Sequence, residues 1–303
     1  MYNSSVLSLY TPDTFPIPED LKKEYNKILR IGLENIGSQR VIITALIRDV
    51  AHKLTEIKQK AERVGNLFYD YRILIVENDS TDGTREGLLQ WVRENPKVVI
   101  LGCGYNVKEC KIPKSPKTDG HGVDRTRIEK MTRLRNIYLE EIKKNYSGVE
   151  SNAWNYTIMW DLDMVGSIYL DGIIHSIGYM TLKRDVDVMC AYGIYRWGFL
   201  TLFYDTYALL HKGEQFHIDM KTIHDIRKGL WEAKYDRGEK PVEVDSCFSG
   251  VAIYRTLSLL PESVIYDMSP STNLECEHVR LNIKISGKKM INPSMINFVL
   301  LND

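Results

Sequence analysis

The hydrophobic pattern of the chain switches repeatedly between a helical and a strand period. Asp20 to about Asn35 places Leu21, Tyr25, Ile28, Leu29, Ile31 and Leu33 at helical spacing and predicts an amphipathic helix. Unbroken apolar runs follow at Val41–Ile47, Arg72–Val76 and Lys97–Leu101, separated by helical patterns over Val50–Phe68 and Thr84–Glu94. Strand–helix alternation of this kind predicts a parallel, doubly wound sheet. Residues 102–124 break the rhythm with Lys, Pro, Gly and Asp, and a loop of that length in a compact domain is usually functional or disordered. Arg125–Asn145 predicts a long helix, Tyr156–Trp160 a strand, Leu170–Lys183 a helix and Asp187–Tyr195 a strand.

The second half is harder to parse. Arg196–Leu210 is aromatic-rich, and residues 211–240 read as a polar insertion with a helix over Met220–Tyr235. A strand is expected around Cys247–Tyr254, and a short helix or loop over Leu274–Ile285. Residues 1–18 read as irregular. The simplest organisation is an N-terminal extension with a helix (1–38), then one α/β domain (39–303). Its nucleotide-binding half would be 39–165 and its acceptor-binding half 166–303.

Bulk properties exclude some classes. The 303 residues are 44% hydrophobic and 26% charged, enough for a sizeable core. Lys plus Arg and Asp plus Glu both number 40, so no global basic field for nucleic acid exists. The five cysteines are scattered, with no C-x-x-C, and read as reduced thiols. Neither a signal peptide nor a membrane span is visible. A cytoplasmic protein is expected, unless an anchor was removed; peripheral membrane association stays open.

Chemistry concentrates at two acidic strand ends. Tyr156–Trp160 runs into Asp161-Leu162-Asp163, and side chains that alternate along a strand would put both carboxylates on one side. Such a pair can share a divalent cation, and the cation a diphosphate. Asp185-Val186-Asp187 has the same spacing but precedes its apolar run. Ligands in open α/β sheets bind outside the carboxyl ends of strands, so Asp185 and Asp187 read as a solvated turn. The segment Glu77-Asn78-Asp79-Ser80-Thr81-Asp82-Gly83 ends an earlier strand. Turn formation and helix capping explain part of it. Glu77 and Asp79 at the strand's exit are suited to a nucleobase N–H or a ribose hydroxyl.

Four arginines mark the helix Arg125–Asn136. Most charge runs are solvated faces. Because this helix precedes the acidic strand end, Arg135 or Arg127 is a candidate for the donor phosphates. Glu275-Cys276-Glu277-His278 offers a base and an imidazole ligand, although a lone histidine is more often structural. Ser249-Gly250 sits where a glycine can mark close approach of a ligand or tight packing. Trp197, Tyr204 and Asp205 could form an acceptor surface, whereas Phe199 and Phe203 read as core.

Taken in order, Val76–Thr84, Arg133-Leu134-Arg135-Asn136, Trp160–Asp163, Phe248-Ser249-Gly250-Val251 and Cys276-Glu277-His278-Val279 resemble the GT-A glycosyltransferases, and within them the capsule-associated α-1,3-mannosyltransferase family. The resemblance spans about residues 40–285. It implies a nucleotide-sugar donor, GDP-mannose favoured and a UDP-hexose second, a glycan acceptor, and Mn²⁺ or Mg²⁺. It maps the metal onto Asp161 and Asp163, with His278 a third ligand, and base and ribose recognition onto Thr44, Glu77 and Asp79. The full expectation places Arg48, Arg127, Arg135 and Leu162 on the donor as well, Asp163, Glu277 and Arg135 in catalysis, and Ser249 and Gly250 beside Trp197, Tyr204 and Asp205 at the acceptor. Retention of stereochemistry is implied by the resemblance; inversion would require Glu277, Glu275 or Asp245 as base. A sugar-nucleotidyltransferase is the rival enzyme, disfavoured because the first strand runs into Arg48-Asp49-Val50 without a phosphate-binding glycine. A sugar-binding module without turnover is the non-enzymatic rival.

Overall fold

A computed structural model describes residues 15–102, 125–148, 153–164, 166–197, 200–214, 234–268 and 275–299. The long loop 103–124 and the inserted helix expected at 220–235 lie outside the described residues, apart from Lys234 and Tyr235.

The alternation in the first half folds as its pattern predicts. Helix α1 (Lys22–Ile36) leads into β1 (Arg40–Ile47), α2 (Leu54–Gly65), β2 (Asp70–Glu77), α3 (Thr84–Glu94), β3 (Val98–Gly102), α4 (Arg125–Asn145) and β4 (Tyr156–Trp160). Strands β3, β2, β1 and β4 pair in parallel, with Ile47 opposite Glu77 and Thr44 opposite Met159. Their carboxyl ends therefore share one edge. Adjacent residues go to opposite faces: Ile43, Ile73 and Ile158 join the core under α2, α3 and α5 (Leu170–Leu182), and Ile42, Leu74 and Met159 the core under α4.

The second half extends the sheet as a mixed one. To the strands named are added β5 (Gly166–Ile168), β6 (Val186–Trp197), β7 (Leu200–Phe203), β8 (Leu210–His211), β9 (Val242–Ser246), β10 (Val251–Arg255) and β11 (Lys288–Val299). The order is β3-β2-β1-β4-β10-β6-β11-β9-β8, with β5 on β11 and β7 on β6. A mostly parallel sheet flanked by helices is thus present, with β10 antiparallel between β4 and β6. Helix α1 packs on α5 at very close range. A side chain at Gly32 would lie 2.0 Å from the Ile174 carbonyl oxygen, so only glycine permits this crossing.

Three expectations are corrected. The strand expected around Cys247–Tyr254 is β10, which starts only at Val251; Cys247–Gly250 form a turn after β9, in which Ser249 and Gly250 take positive φ. The long strand β11 was not foreseen; Pro293 lies within it, at an irregularity in the pairing with β6 between Asn292 and Ile296. The cysteines are not all reduced, because Cys190 on β6 bonds to Cys247. Cys276 is free and buried. No helix among the described residues is long and apolar enough to cross a membrane.

Candidate active site

The two loops that leave β1 and β2 are stitched to each other. Asp49 N donates to Ser80 Oγ at 3.1 Å, Thr81 N to Asp49 Oδ1 at 2.8 Å and Ala51 N to Asp82 Oδ2 at 2.9 Å. Glu77 is buried and spent on this scaffold: Oε1 accepts from Ser80 N at 2.6 Å, and Oε2 from Arg85 Nη2 at 2.7 Å. It shapes the loop that carries Asn78 and Asp79 instead of offering its carboxylate to a ligand. Among the described residues two buried polar atoms at this edge have no partner, Thr44 Oγ1 and Asn78 Oδ1, while Arg48 Nε lies 3.3 Å from Asp49 Oδ2 in an ion pair. Orphaned buried polar atoms are rare and call for an explanation, and a polar ligand is one. Lys130 on α4 faces the same place. Its ammonium is held below its ordinary pKa by burial and by Arg48, against the pull of Asp79. Nothing in the sequence singled Lys130 out from the other cations of α4.

The acidic strand end differs from the alternation expected. Strand β4 stops at Trp160, and Met164 N closes a turn onto the Asp161 carbonyl at 3.1 Å. Leu162 is buried within that turn, so it can offer a ligand only its backbone; Asp161 and Asp163 stay partly exposed. The turn is held from both sides. Asp161 N donates to the Gly250 carbonyl at 2.8 Å, Lys53 Nζ donates to the Asp163 carbonyl, and Lys60 Nζ on α2 reaches the Met164 carbonyl at 3.4 Å.

Arg135 lies beneath the aspartates, only 3% exposed. Its Nη2 donates to Asp161 Oδ1 at 3.2 Å, its Nε to Glu277 Oε1 at 3.0 Å and its Nη1 to Tyr138 Oη at 3.3 Å. The guanidinium also sits 5.2 Å from the Phe248 ring centroid. Arg135 therefore organises the acids, and its burial keeps it from a free clamp on phosphate. Arg127 is exposed, within electrostatic reach of Tyr204 and Tyr207.

Negative charge exceeds positive at this point. Burial pushes Asp161 up to about 6 despite Arg135, with Asp163 adding to the rise. Burial raises Asp163 too, against Lys53. Asp205 is pushed up to about 7 by burial, with Asp161 and Glu277 contributing. Crowded carboxylates that resist ionisation fit a divalent cation, and their oxygens are the donor type that Mg²⁺ and Mn²⁺ prefer.

His278 stands apart from that pair. Its ring stacks on Phe248 at 3.6 Å between centroids, both nitrogens are buried without a hydrogen-bond partner among the described residues, and burial with Arg135 nearby keeps it neutral. Among the described residues no three His, Cys, Asp or Glu side chains form a group that could hold a metal ion. To ligate beside the aspartates His278 would have to leave Phe248.

Of the other candidate bases, Glu275 pairs with Arg280 at 3.3 Å. Asp245 accepts from Gly213 N and pairs with Lys212, at the β8–β9 edge. Trp197 ends β6 opposite Leu200; its side chain lies outside the description. Of Asp185 and Asp187, only Asp185 lies in an exposed turn, where it pairs with Lys288; Asp187 is inside β6, partly buried, and accepts from Gly287 N.

Comparison with known proteins follows from this geometry. The structure of S. aureus TarS 1–349 in complex with UDP-GlcNAc is similar at a TM-score of 0.48 and 12% identity, over 88% of this chain and 60% of that one. The mannosyltransferase PcManGT from Pyrobaculum calidifontis, in complex with GDP-Man and Mn²⁺, is similar at 0.46 and 9%, over 94% and 68%. GalNAc-T7 with UDP, GalNAc and Mn²⁺ gives 0.48 and 9%, over 96% and 55%. With TM-scores below 0.5, none of these likenesses bears on mechanism. No curated protein matches the chain. A family profile described as Cryptococcal mannosyltransferase 1 matches residues 40–280, most of the chain, and the chain belongs to that mannosyltransferase family.

Proposed function

We propose that the chain is a metal-dependent glycosyltransferase that moves a hexose, mannose favoured, from a nucleotide-diphosphate sugar to a glycan hydroxyl with retention. One juxtaposition carries this reading. The orphaned polar atoms of Thr44 and Asn78 and the under-compensated carboxylates of Asp161 and Asp163 belong to segments at the carboxyl ends of neighbouring parallel strands. A nucleoside could satisfy the first group while its diphosphate lies toward the second.

In this account Thr44 and Asn78 hydrogen-bond the nucleoside, and Arg48 and Lys130 hold phosphate oxygens. Asp79 takes a base or ribose donor group. Asp161 and Asp163 would hold Mn²⁺ or Mg²⁺, which supplies charge neutralisation for the departing diphosphate. Arg135 keeps Asp161 and Glu277 in register. The acceptor enters beside Ser249 and Gly250, past Tyr204 and Asp205. GDP-mannose is the favoured donor from family membership, and a UDP-hexose the second. The Cys190–Cys247 bond fits an oxidising compartment better than the cytoplasm expected from the scattered cysteines.

The test is calorimetric titration of GDP-mannose and UDP-glucose into wild type and Asp163→Ala, in Mn²⁺ and in EDTA. Metal-dependent binding that Asp163→Ala abolishes supports the assignment. Equal affinity of both proteins in Mn²⁺ removes it.

A further inference from the structure

Two residues without a glycine's freedom hold left-handed backbone side by side at the mouth of the site. Asp205, just after β7, has φ +72°, and Ser249, in the turn between β9 and β10, has φ +57°. Such backbone is unfavourable for a residue with a side chain and persists only where its surroundings fix it. Here the surroundings are a closed set of hydrogen bonds. Ser249 N donates to Asp205 Oδ2 at 2.8 Å, and Ala208 N to Asp205 Oδ1 at 3.3 Å. Ser249 Oγ donates to the Tyr204 carbonyl at 3.3 Å, while Tyr204 N donates to the Gly193 carbonyl at 2.9 Å. Asn297 Nδ2 holds the Ser249 carbonyl at 2.8 Å. The next residue, Gly250, accepts from Asp161 N. Asp205 is thereby locked, through one turn, to the backbone of the acidic strand end.

The carboxylate so fixed is not a structural ion pair. Among the described residues no cation pairs with it, and it is partly exposed. Each oxygen accepts one backbone N–H and retains a lone pair. Asp161 and Glu277, both acidic, act on it, and Glu277 is turned toward Arg135. Tyr204 beside it and Tyr207 two residues on are both partly exposed, and both feel Arg127 from α4. A carboxylate with spare acceptor capacity, flanked by aromatic rings, suits a hydroxylated ring with an apolar face.

We propose that Asp205 receives the attacking hydroxyl of a sugar acceptor by accepting its hydrogen bond, and that the left-handed Ser249 is the positioning residue that aims the carboxylate. This rests on the transferase reading and deepens it on the acceptor side. Glu277, by contrast, is buried and bonded through Oε1 to Arg135.

Asp205→Asn tests it, because asparagine tolerates the left-handed backbone and keeps an oxygen for Ser249 N. The variant loses the charge and half the acceptor capacity. Saturation-transfer NMR with methyl α-mannopyranoside, methyl β-glucopyranoside and methyl β-xylopyranoside, in Mg²⁺ and whichever of GDP or UDP wild type binds, reads acceptor binding; calorimetry reads nucleotide binding. The expected result is saturable binding of at least one pyranoside to wild type, weakened at least tenfold in Asp205→Asn, with nucleotide affinity within twofold and a cooperative melt retained, its temperature lowered by the amide group that then faces Ala208 N. Ser249→Val, which opposes the left-handed backbone, is expected to weaken the same pyranoside without moving nucleotide affinity. Pyranoside binding unchanged in Asp205→Asn, a parallel loss of nucleotide affinity, or nucleotide binding with no pyranoside bound by wild type would each overturn the assignment while leaving the donor site standing. Absence of nucleotide binding in wild type would instead overturn the transferase reading and, with it, this one.

Discussion

Arg135 Nη2 lies 3.2 Å from Asp161 Oδ1, so the helix that precedes the acidic strand end also braces it from below. The same guanidinium holds Glu277, which comes 142 residues later in the chain. Replacing one partner of a buried ion pair strands the others, at a cost of about 3–5 kcal/mol. Arg135→Met should therefore lose about that much stability in urea unfolding, and Asp161 and Glu277 would lose their common orientation. A loss below about 1 kcal/mol would show that the pair is not held as described.

Lys130 and Arg48 are assigned to the donor's phosphates. A charge-assisted hydrogen bond is worth about 1.5–3 kcal/mol, so Lys130→Ala should weaken nucleotide-diphosphate binding by roughly tenfold or more. The effect should be smaller for the nucleoside alone, as calorimetry with GDP or UDP against guanosine or uridine would show. Equal losses for nucleotide and nucleoside would move Lys130 away from the phosphates.

The buried His175 predicts an acid limb of stability. Burial, with Arg237 adding, lowers its pKa to about 4; its ring stacks on Tyr25 and meets Asn292. The unfolded chain takes up this proton near pH 6.5, the folded one only near 4, so stability is complete above 6.5 and falls as pH drops between those values. The full effect is about 3 kcal/mol by the usual conversion of a pKa difference. Melting temperatures from pH 7 to 4.5 should fall more steeply for wild type than for His175→Gln. Parallel curves would contradict a buried neutral imidazole.

The disulfide Cys190–Cys247 closes a span of 57 residues and fastens the turn that carries Ser249 and Gly250. Its removal should cost about 2–4 kcal/mol. Cys190→Ala/Cys247→Ala should show the loss in urea unfolding, and reductant should then have no further effect. Full stability of the double variant, or of reduced wild type, would contradict a structural bond.

Much of the first half was legible because its strands are buried on both faces and announce themselves as continuous apolar runs. Helices α3 and α4 span Thr84–Glu94 and Arg125–Asn145, the ranges that the helical pattern predicts. Strand β11 was invisible because Asn292, Pro293, Ser294 and Asn297 interrupt its apolar run, the amides of Asn292 and Asn297 being met by His175 and by the Ser249 carbonyl. Asp161 and Asp163 stand out in the sequence by their place after a buried strand, and in the fold they share a turn instead of a strand face. Glu77 looked like a ligand group because the reach of Arg85 cannot be read locally. Lys130, one cation among several on α4, gave no signal, since only the fold brings it to Arg48.

The central claim is a nucleotide-sugar site completed by a divalent cation at Asp161 and Asp163. The most direct test is a thermal-shift screen of GDP, UDP and their hexose conjugates, each with Mn²⁺ and with EDTA. A ligand that prefers the folded state stabilises it by about 2.7 kcal/mol at a hundred times its dissociation constant. The account predicts a rise in melting temperature with one nucleotide series, present in Mn²⁺ and lost in EDTA. No shift with any of them, or the same shift in EDTA as in Mn²⁺, would contradict it.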